Sequence, residues 1–294
     1  MFLAQFLFTE GRQDTALQYL NELRKEYPDN TLFLVLYASW QNRLHNQSEA
    51  LTAARTAVEM NNKRNVRYGE DLAYNTLASS YFAFNDFQNA KTYYLLYLPT
   101  ARNTEWTPNM TYFRAGTACE IAGDRVAAVE FYSRMKDISD KDRPGDTYYY
   151  RQGQELINHP LTEADILNIK GGNLVSQKLY DSSIVMYRDA FGKAHGNVDI
   201  QSRALYGVLQ AQFESERLQE AMQTSQRLLA LNPPAEKWII PHTWFKLAQI
   251  YTKLGKIPEA RNALDKAGEF DDYDFQVHLK SQLEEEIKKL NASK

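Results

Sequence analysis

Residues 244–260 read WFKLAQIYTKLGKIPEA, and this stretch predicts two antiparallel helices joined by a tight turn. Gly255 marks the turn, because glycine adopts the positive φ that a short connection often needs. Ala248 and Ala260 stand on either side of it, twelve positions apart. Two helices joined by a short turn pack closely only where the side chains at their crossing are small. The stretch therefore predicts a helical hairpin whose closest approach lies at these two alanines.

A short phrase recurs along the whole chain, beginning with a turn residue and ending five positions later with a small one. The seven phrases occupy residues 11–16, 45–50, 85–90, 123–128, 178–183, 216–221 and 255–260. Their small residues are spaced by 34, 40, 38, 55, 38 and 39 positions. For five phrases, another small residue stands twelve positions before the one that ends the phrase: Ala38, Ala78, Gly116, Gly171 and Ala248. Leu209 breaks this rule in the sixth phrase, but the period still indicates stacked helix pairs.

The phrase and its flanking residues resemble the tetratricopeptide repeat family, whose unit is a 34-residue helix–turn–helix. The last repeat carries Trp244, Leu247, Ala248, Tyr251, Gly255, Ala260 and Ala267; the third carries Tyr74, Leu77, Ala78, Tyr81, Ala90 and Tyr94. The fifth repeat departs from the pattern at Lys178 and Ser183. The resemblance implies an all-α, right-handed superhelical solenoid of about seven helix pairs, with one inserted helix and a C-terminal capping helix.

The region from Arg143 to Gly145, the tyrosine-rich segment after it and the ending Tyr273-Asp274-Phe275 also look somewhat like a second family. This is the C-terminal half of the tetratricopeptide repeat 39 family, which is related to a fungal inclusion-clearance protein. Members of that family are thought to act as adaptors. The weaker resemblance implies the same class of function as the stronger one.

The repeats predict one solenoid over residues 1–294, with an insertion in the middle. Repeats one to four take residues 1–140, the insertion 141–161, repeats five to seven 162–272 and the capping helix 273–291. Within the insertion we expect a loop over 140–146 and a short helix over 147–158. We also expect Thr162 to cap the next helix, with Asp165 three positions on. An amphipathic helix over 271–290 closes the array. The first helix is shorter than the family unit, so either the protein continues upstream of Met1, which we expect, or residues 1–8 form a shortened starting helix.

The composition suits a long helical chain and argues against some classes of function. Hydrophobic residues make up 44%, and glycine (13) and proline (9) are few. The formal net charge of −3 argues against nucleic-acid binding, which needs an excess of Lys and Arg. The uncharged residues 1–9 are too short to span a bilayer and lack the features of a signal peptide. We expect a cytoplasmic monomer, although a disulfide-free secreted or periplasmic helical protein would have the same composition.

The chain shows no motif for catalysis, cofactor or metal binding, so we predict no enzyme. No two of its five histidines share a helix face at i and i+4, and each is expected to be an ordinary surface residue. Cys119 is expected to be a small buried thiol. Gly171-Gly172 lacks the pattern of a phosphate loop, and close helix packing explains it. The run from Tyr148 to Tyr150 has two interpretations, packing of the inserted helix or a contact surface for a partner.

The resemblance places the first helix of each pair on a concave face that binds ligands. In the family register, the candidate partner-binding residues are Asn42, Arg43, Asn75, Ser79, Phe82, Phe113, Arg114, Asn168, Tyr206, Gln210, Phe213, Phe245, Lys246 and Gln249. Glu120 falls in the same register. Aromatic rings mixed with Asn, Gln and Arg suit an extended peptide. Asn75 and Ser79 replace the Lys and Asn of the family's carboxylate clamp, so an acidic C-terminal tail is disfavoured.

The function predicted on this basis is a non-catalytic scaffold or adaptor that holds a protein or an extended peptide. Two alternatives remain open. In the first, the chain is the sensor or regulatory region of a longer protein whose catalytic part lies upstream. In the second, the Tyr- and Phe-rich groove binds a lipid or another small ligand.

Overall fold

The computed structural model describes residues 2–100, 107–138 and 145–292, and within them every regular element is a helix. The chain divides into two compact units, Met1–Thr107 and Pro108–Lys294. The loop expected over 140–146 lies mostly outside the described residues. In the described part, the predicted all-helical fold of tetratricopeptide-type pairs is confirmed.

Sixteen helices are described, fourteen of them in consecutive pairs whose members pack together. The first unit holds α1 (Phe2–Thr9) with α2 (Gln13–Glu26), α3 (Thr31–Arg43) with α4 (Gln47–Arg64), and α5 (Glu70–Ala83) with α6 (Phe87–Thr100). The second unit holds α7 (Asn109–Ile121) with α8 (Arg125–Ser133), α10 (Glu163–Ser176) with α11 (Tyr180–Lys193), α12 (Val198–Glu214) with α13 (Leu218–Leu229), and α14 (Ile239–Lys253) with α15 (Ile257–Gly268).

Two helices of the second unit stand outside the pairs. The inserted helix α9 (Asp146–Asn158) packs on α7 and α8, as expected for residues 147–158. Thr162 and Asp165 then form the predicted capping box at the start of α10. The last helix, α16 (Gln276–Ala292), packs on α15. Its predicted start at Asp271 was wrong, because Asp272 (φ 59°) and Phe275 (φ 66°) adopt left-handed backbone conformations that a helix does not contain.

The turn of every pair has the backbone conformation that the repeated phrase predicts. All seven phrases begin with a residue of positive φ: Gly11 (78°), His45 (61°), Asn85 (61°), Gly123 (81°), Lys178 (61°), Glu216 (59°) and Gly255 (71°). Four of the seven carry a side chain despite the steric cost of that conformation. The phrase therefore marks turn geometry even where glycine is replaced.

The small residues lie buried at the helix crossings, as predicted. The small residues that end the seven phrases are fully buried: Ala16, Ala50, Ala90, Ala128, Ser183, Ala221 and Ala260. At Gly116 a Cβ would lie 2.4 Å from the Tyr132 ring, and at Gly171 it would lie 2.9 Å from the Tyr187 ring. Cys119, on the same face of α7 as Gly116, is a buried thiol, as expected.

Candidate ligand pocket of the second unit

The first helices of successive pairs contact one another in the second unit, where α12 packs against both α10 and α14. We call these three the inner helices. Their side chains repeat at one-turn spacing, as in Tyr206, Gln210 and Phe213 of α12 or His242, Lys246 and Gln249 of α14. Residues spaced in this way share one helix face. The inner helices therefore supply a continuous surface of aromatic and polar groups.

The inserted helix α9 and the segment before α16 enclose part of this surface as a pocket of about 420 Å³. This volume falls within the range of small-ligand sites. We call it the inner pocket. Its lining is Phe113, Tyr148, Tyr149, Gln152, Leu156, Leu161, Asp165, Asn168, Ile169, Gly172, Tyr187, Arg203, Tyr206, Gly207, Gln210, Trp238 and Phe275.

Aromatic rings from five parts of the second unit contact one another around the inner pocket. The centroid of Tyr148 lies 5.0 Å from that of Phe275, and Trp238 lies 5.0 Å from Tyr206 and 5.8 Å from Phe275. Tyr149 lies 5.4 Å from Phe113 of α7. Edge-to-face and tilted pairs at these separations are favourable beyond the area they bury. The rings hold α9 and the segment before α16 against the inner helices.

A buried charge network lies behind the rings. Glu236 is 1% exposed, and its carboxylate accepts hydrogen bonds from Gln152 Nε2 (2.9 Å) and Trp238 Nε1 (2.5 Å). Arg203 Nε lies 3.7 Å from Glu236 Oε1, and its Nη2 donates to Asp165 Oδ1 at 2.8 Å. Burial raises the pKa of the Glu236 carboxyl, while the positive charge of Arg203 opposes that rise. The network fixes the loop before α14 against α9 and α12.

The guanidinium of Arg151 extends this network to the segment before α16. Arg151 Nη2 donates to Asp274 Oδ2 at 2.7 Å and lies 4.0 Å from Glu236 Oε2. Asp199 Oδ1 accepts from the backbone N–H groups of Ala235 and Glu236, at 2.9 and 3.0 Å. Breaking one partner of a buried ion pair is costly because the other charge stays buried. The network therefore connects α9, the loop before α14 and the segment before α16, which all contribute to the inner pocket.

Asn168 lines the inner pocket and has an unused acceptor. Its Oδ1 atom is buried and has no hydrogen-bond partner, while its Nδ2 atom donates to the Ile200 carbonyl at 3.5 Å. An unpaired buried acceptor costs free energy that a ligand donor would recover. Gln210, on the neighbouring helix, is exposed at the edge of the same pocket.

Beyond Gln210, two lysines lie over the ring of Phe213, and one of them, Lys253, is paired with Glu216. Lys246 Nζ and Lys253 Nζ lie 4.3 and 4.8 Å from the centroid of the Phe213 ring. Burial lowers the pKa of the Lys246 ammonium; the negative charge of Glu214 opposes this shift, and the charge of Lys253 adds to it. The Oε1 atom of Gln249 is buried without a hydrogen-bond partner. Four predicted residues, Phe213, Lys246, Gln249 and Gln210, thus follow one another along α12 and α14.

His242 corrects the expectation that every histidine is an ordinary surface residue. Its ring lies edge-on to Trp238 at 5.5 Å and to Phe275 at 6.4 Å, and its Nε2 atom is buried without a partner. Burial lowers the pKa of the imidazole to about 4, and the charges of His278 and Lys246 act in the same direction. His242 is therefore a neutral member of the aromatic cluster.

The inner pocket brings together four of the predicted residues, namely Phe113, Asn168, Tyr206 and Gln210. Phe245 is 6% exposed and packs in the core of the last helix pair. Arg114 is half-buried and does not line the pocket. Glu120 binds within the protein, since its carboxylate accepts from Tyr132 Oη at 2.9 Å and from the backbone of Leu161.

The other five predicted residues belong to the first unit. Asn42, Asn75 and Ser79 are half-buried on α3 and α5. Arg43 is exposed, and its guanidinium lies 5.9 Å from the centroid of the Phe8 ring. Phe82 is 7% exposed and packs edge-on against Phe87 at 5.3 Å, which leaves little of its ring for a partner.

The register of the repeats misses pocket residues that lie outside the first helices. Tyr148, Tyr149 and Gln152 come from the inserted helix, Trp238 from the position before α14, and Phe275 from the segment before α16. The tyrosine run was the one signal in the sequence for this side of the pocket. Tyr148 and Tyr149 pack on neighbouring rings and also line the pocket, so the two interpretations of the run are compatible.

No helix in 2–100, 107–138 or 145–292 is long and apolar enough to cross a membrane. The same ranges contain no group of three or more His, Cys, Asp or Glu side chains placed to hold a metal ion.

Comparison with known proteins identifies tetratricopeptide repeats in the chain. Two family models described as tetratricopeptide repeat match residues 3–30 and 241–271. These matches fall on the pairs α1–α2 and α14–α15, the first and last pairs of the described chain. None of the curated proteins matches the sequence.

Solved structures with related folds include a tetratricopeptide repeat protein from Parabacteroides merdae. It is 13% identical, the match covers 95% of this chain and 94% of that one, and the TM-score is 0.39. Yeast Tom70 is also 13% identical, with 95% and 59% covered and a TM-score of 0.40. The TPR2AB domain of yeast Sti1, in a complex with pHSP90, is 13% identical, with 78% and 86% covered and a TM-score of 0.31.

Proposed function

We propose that the chain is a non-catalytic scaffold or adaptor, and that the inner helices of its second unit bind an extended peptide of a protein partner. The observation that carries this proposal is the inner pocket, where the buried Asn168 Oδ1 has no partner and aromatic rings line the walls. A peptide supplies a partner for each of these features, a hydrogen-bond donor for Asn168 and a side chain for the space between the rings. Its backbone N–H would donate to Asn168, and one of its side chains would enter between the rings.

The polar residues along α12 and α14 extend the same surface beyond the pocket. Gln210 is exposed and Gln249 Oε1 is a second buried acceptor without a partner. Amides can both donate to and accept from a peptide backbone, so they bind extended chains with little dependence on sequence. Selectivity would then come from the side chain that the inner pocket accepts. The adaptor role implied by the tetratricopeptide repeat 39 resemblance agrees with this proposal.

The test is selection of nonapeptides from a random display library on the intact chain, followed by affinity measurement by fluorescence anisotropy. Asn168→Leu keeps the size of the side chain and removes the acceptor, and it is expected to weaken the selected peptides about tenfold. Gln219→Leu changes an exposed residue of α13 and is the matched control. Equal affinities for wild type and Asn168→Leu, with both proteins folded by circular dichroism, would contradict binding at this surface.

A second function, binding of a small ligand, is supported by the enclosure of the pocket. Tyr148 and Phe275 cover the inner helices at a place where an open groove would otherwise run. A molecule bound in this volume would have most of its surface buried. A thermal-shift screen against lipids and sugars separates the two functions. A stabilising compound that is not displaced by the selected peptides would favour the small-ligand function.

A further inference from the structure

The charges around the inner pocket do not balance. The network of contacting side chains holds three carboxylates, those of Asp165, Glu236 and Asp274, and two guanidinium groups, those of Arg151 and Arg203. Asp199 adds a fourth carboxylate, which is hydrogen-bonded to the backbone of Glu236. Both guanidinium groups are paired within the network. The network that lies against the pocket therefore carries an excess of negative charge, while the lining itself holds one carboxylate, that of Asp165, and one guanidinium, that of Arg203.

The aromatic lining favours a cationic ligand, as the negative charge of the network does. Tyr148, Tyr149, Tyr206 and Trp238 all line the pocket, and the face of an aromatic ring attracts a cation. Burial raises the pKa of the phenols of Tyr148 and Tyr206, so both stay neutral hydrogen-bonding groups at physiological pH. The pocket also has apolar walls for a hydrocarbon stem, in Leu156, Leu161 and Ile169.

The unused hydrogen-bonding atoms near the pocket also favour a cationic donor. Its unused buried side-chain oxygen is the Asn168 acceptor, while the buried Arg203 Nε donor lies beside the Glu236 carboxylate. An anionic ligand would meet the excess of carboxylates in the network behind the lining. An ammonium or guanidinium group would donate to Asn168 and be attracted by both the rings and the charges.

We infer that the inner pocket selects a cationic group on an apolar stem, the lysine or arginine side chain of a bound peptide. The inference rests on the proposed function for the source of that side chain. The stem packs on Leu156, Leu161 and Ile169, and the charged end lies against the tyrosine and tryptophan rings with Asn168 Oδ1 as its acceptor. The pocket is therefore expected to prefer basic peptides and to reject acidic ones.

The first experiment uses the nonapeptides selected on the intact chain. They are expected to share a lysine or arginine, and replacing it with norleucine or Nε-acetyl-lysine is expected to weaken binding about tenfold, because either change removes the charge. Replacement with glutamate is expected to abolish binding. Selected peptides that share an apolar or acidic residue instead would overturn the cation preference but leave the scaffold function standing. Failure to select any peptide would overturn the scaffold function itself.

The second experiment changes the charge at the rim of the pocket without touching its interior. Gln210 is exposed, so Gln210→Lys and Gln210→Glu are expected to fold normally. Relative to the norleucine peptide, the first is expected to weaken binding of the cationic peptide about threefold and the second to strengthen it by the same factor. Any loss of backbone contacts to Gln210 affects both peptides alike. Gln219→Lys on α13 is the control for net charge. Equal effects of Gln210→Lys and Gln219→Lys would contradict a cation bound in this pocket.

A third measurement identifies the source of the cation. n-Pentylamine carries the same ammonium and stem without a peptide backbone. It is expected to displace the selected peptide only at concentrations about a thousandfold above the Kd of that peptide, since it lacks the backbone contacts. Displacement at concentrations near that Kd would show that a free amine suffices, and would overturn the assignment to a peptide side chain.

Discussion

The ring of Tyr187 lies directly against Gly207, so that a Cβ on the glycine would be 2.2 Å from Tyr187 Cζ. The same ring touches Gly171, where a Cβ would be 2.9 Å from Tyr187 Cε1. One tyrosine of α11 therefore fills the space that two glycines leave on α10 and α12. In the sixth repeat, where Leu209 replaces the expected small residue, Gly207 provides the close approach to the preceding pair.

This contact predicts a large effect of a single methyl group. Gly207→Ala is expected to destabilise the second unit by about 1–3 kcal/mol, because the Tyr187 ring must move from a closely packed position. Gly192→Ala on α11 is the matched control, since a Cβ there meets no atom within 4 Å. It is expected to stabilise by about 0.5 kcal/mol through the unfolded chain. Urea unfolding followed by circular dichroism measures both, and equal midpoints would refute the predicted packing.

The turn geometry predicts a stabilising substitution at Lys178. This residue is exposed and has φ of 61°, a conformation that costs a non-glycine residue about 1–2 kcal/mol. Lys178→Gly is expected to raise the free energy of unfolding by about 1 kcal/mol. Gly123→Ala, in another turn with open space around the new Cβ, is expected to lower it by a similar amount. Opposite signs for the two substitutions are the result to look for in denaturant melts.

The buried imidazole of His242 predicts a pH dependence of stability. Its pKa is about 4 in the folded chain and 6.5 in the unfolded one, so the unfolded state binds more protons between these values. The contribution of His242 to the free energy of unfolding is therefore fully present above pH 6.5. It is lost as the pH falls towards 4, by about 3 kcal/mol in all. His242→Phe keeps a neutral ring in the aromatic cluster and is expected to remove this part of the pH dependence.

His159 provides the control for that experiment, because it is an exposed histidine at the end of α9. His159→Gln is measured over the same pH range, so that the loss of an imidazole at an exposed position can be compared with its loss at the buried one. A His242→Phe protein with the slope of the wild type would show that other groups account for the acid sensitivity.

The ion pair between Arg151 and Asp274 predicts a local change in dynamics. Arg151→Met keeps the stem of the side chain and removes its contacts with Asp274 and Glu236. Hydrogen exchange is expected to become faster in α9 and in residues 269–276, because both segments lose this connection. The backbone of α13, on the other side of its pair, is expected to exchange as before. Uniform faster exchange across the second unit would show a global effect instead.

The sequence predicted the parts of this structure that repeat. Seven turns could be located, including those at Lys178 and Glu216, because the same phrase surrounds residues of different chemistry. The register also identified Asn168, Tyr206 and Gln210, which lie on the inner helices. Periodicity carries this information because each helix pair must meet its neighbours in the same way.

The closure of the inner pocket could not be predicted in this way. Trp238 and Phe275 belong to no repeated phrase, and their partners on α9 lie far away along the chain. The last helix was placed three to five residues too early, because the acidic residues between 271 and 274 suit a first helical turn. In the structure, positive φ at Asp272 and Phe275 brings the phenylalanine ring to Tyr148 instead. His242 was misjudged because spacing rules address metal ligands and not burial in an aromatic cluster.

The hydrogen bond between Arg151 and Asp274 joins residues 123 positions apart in the chain. Stacked repeats ordinarily contact only their neighbours, so their pairs can melt one after another from either end. A direct connection between α9 and the segment before α16 makes the pairs between them depend on each other. Unfolding of the second unit should thus be more cooperative than that of an array in which each pair contacts only its neighbours. Its folding should also be slower, because the chain between Arg151 and Asp274 must close into a long loop before this contact forms.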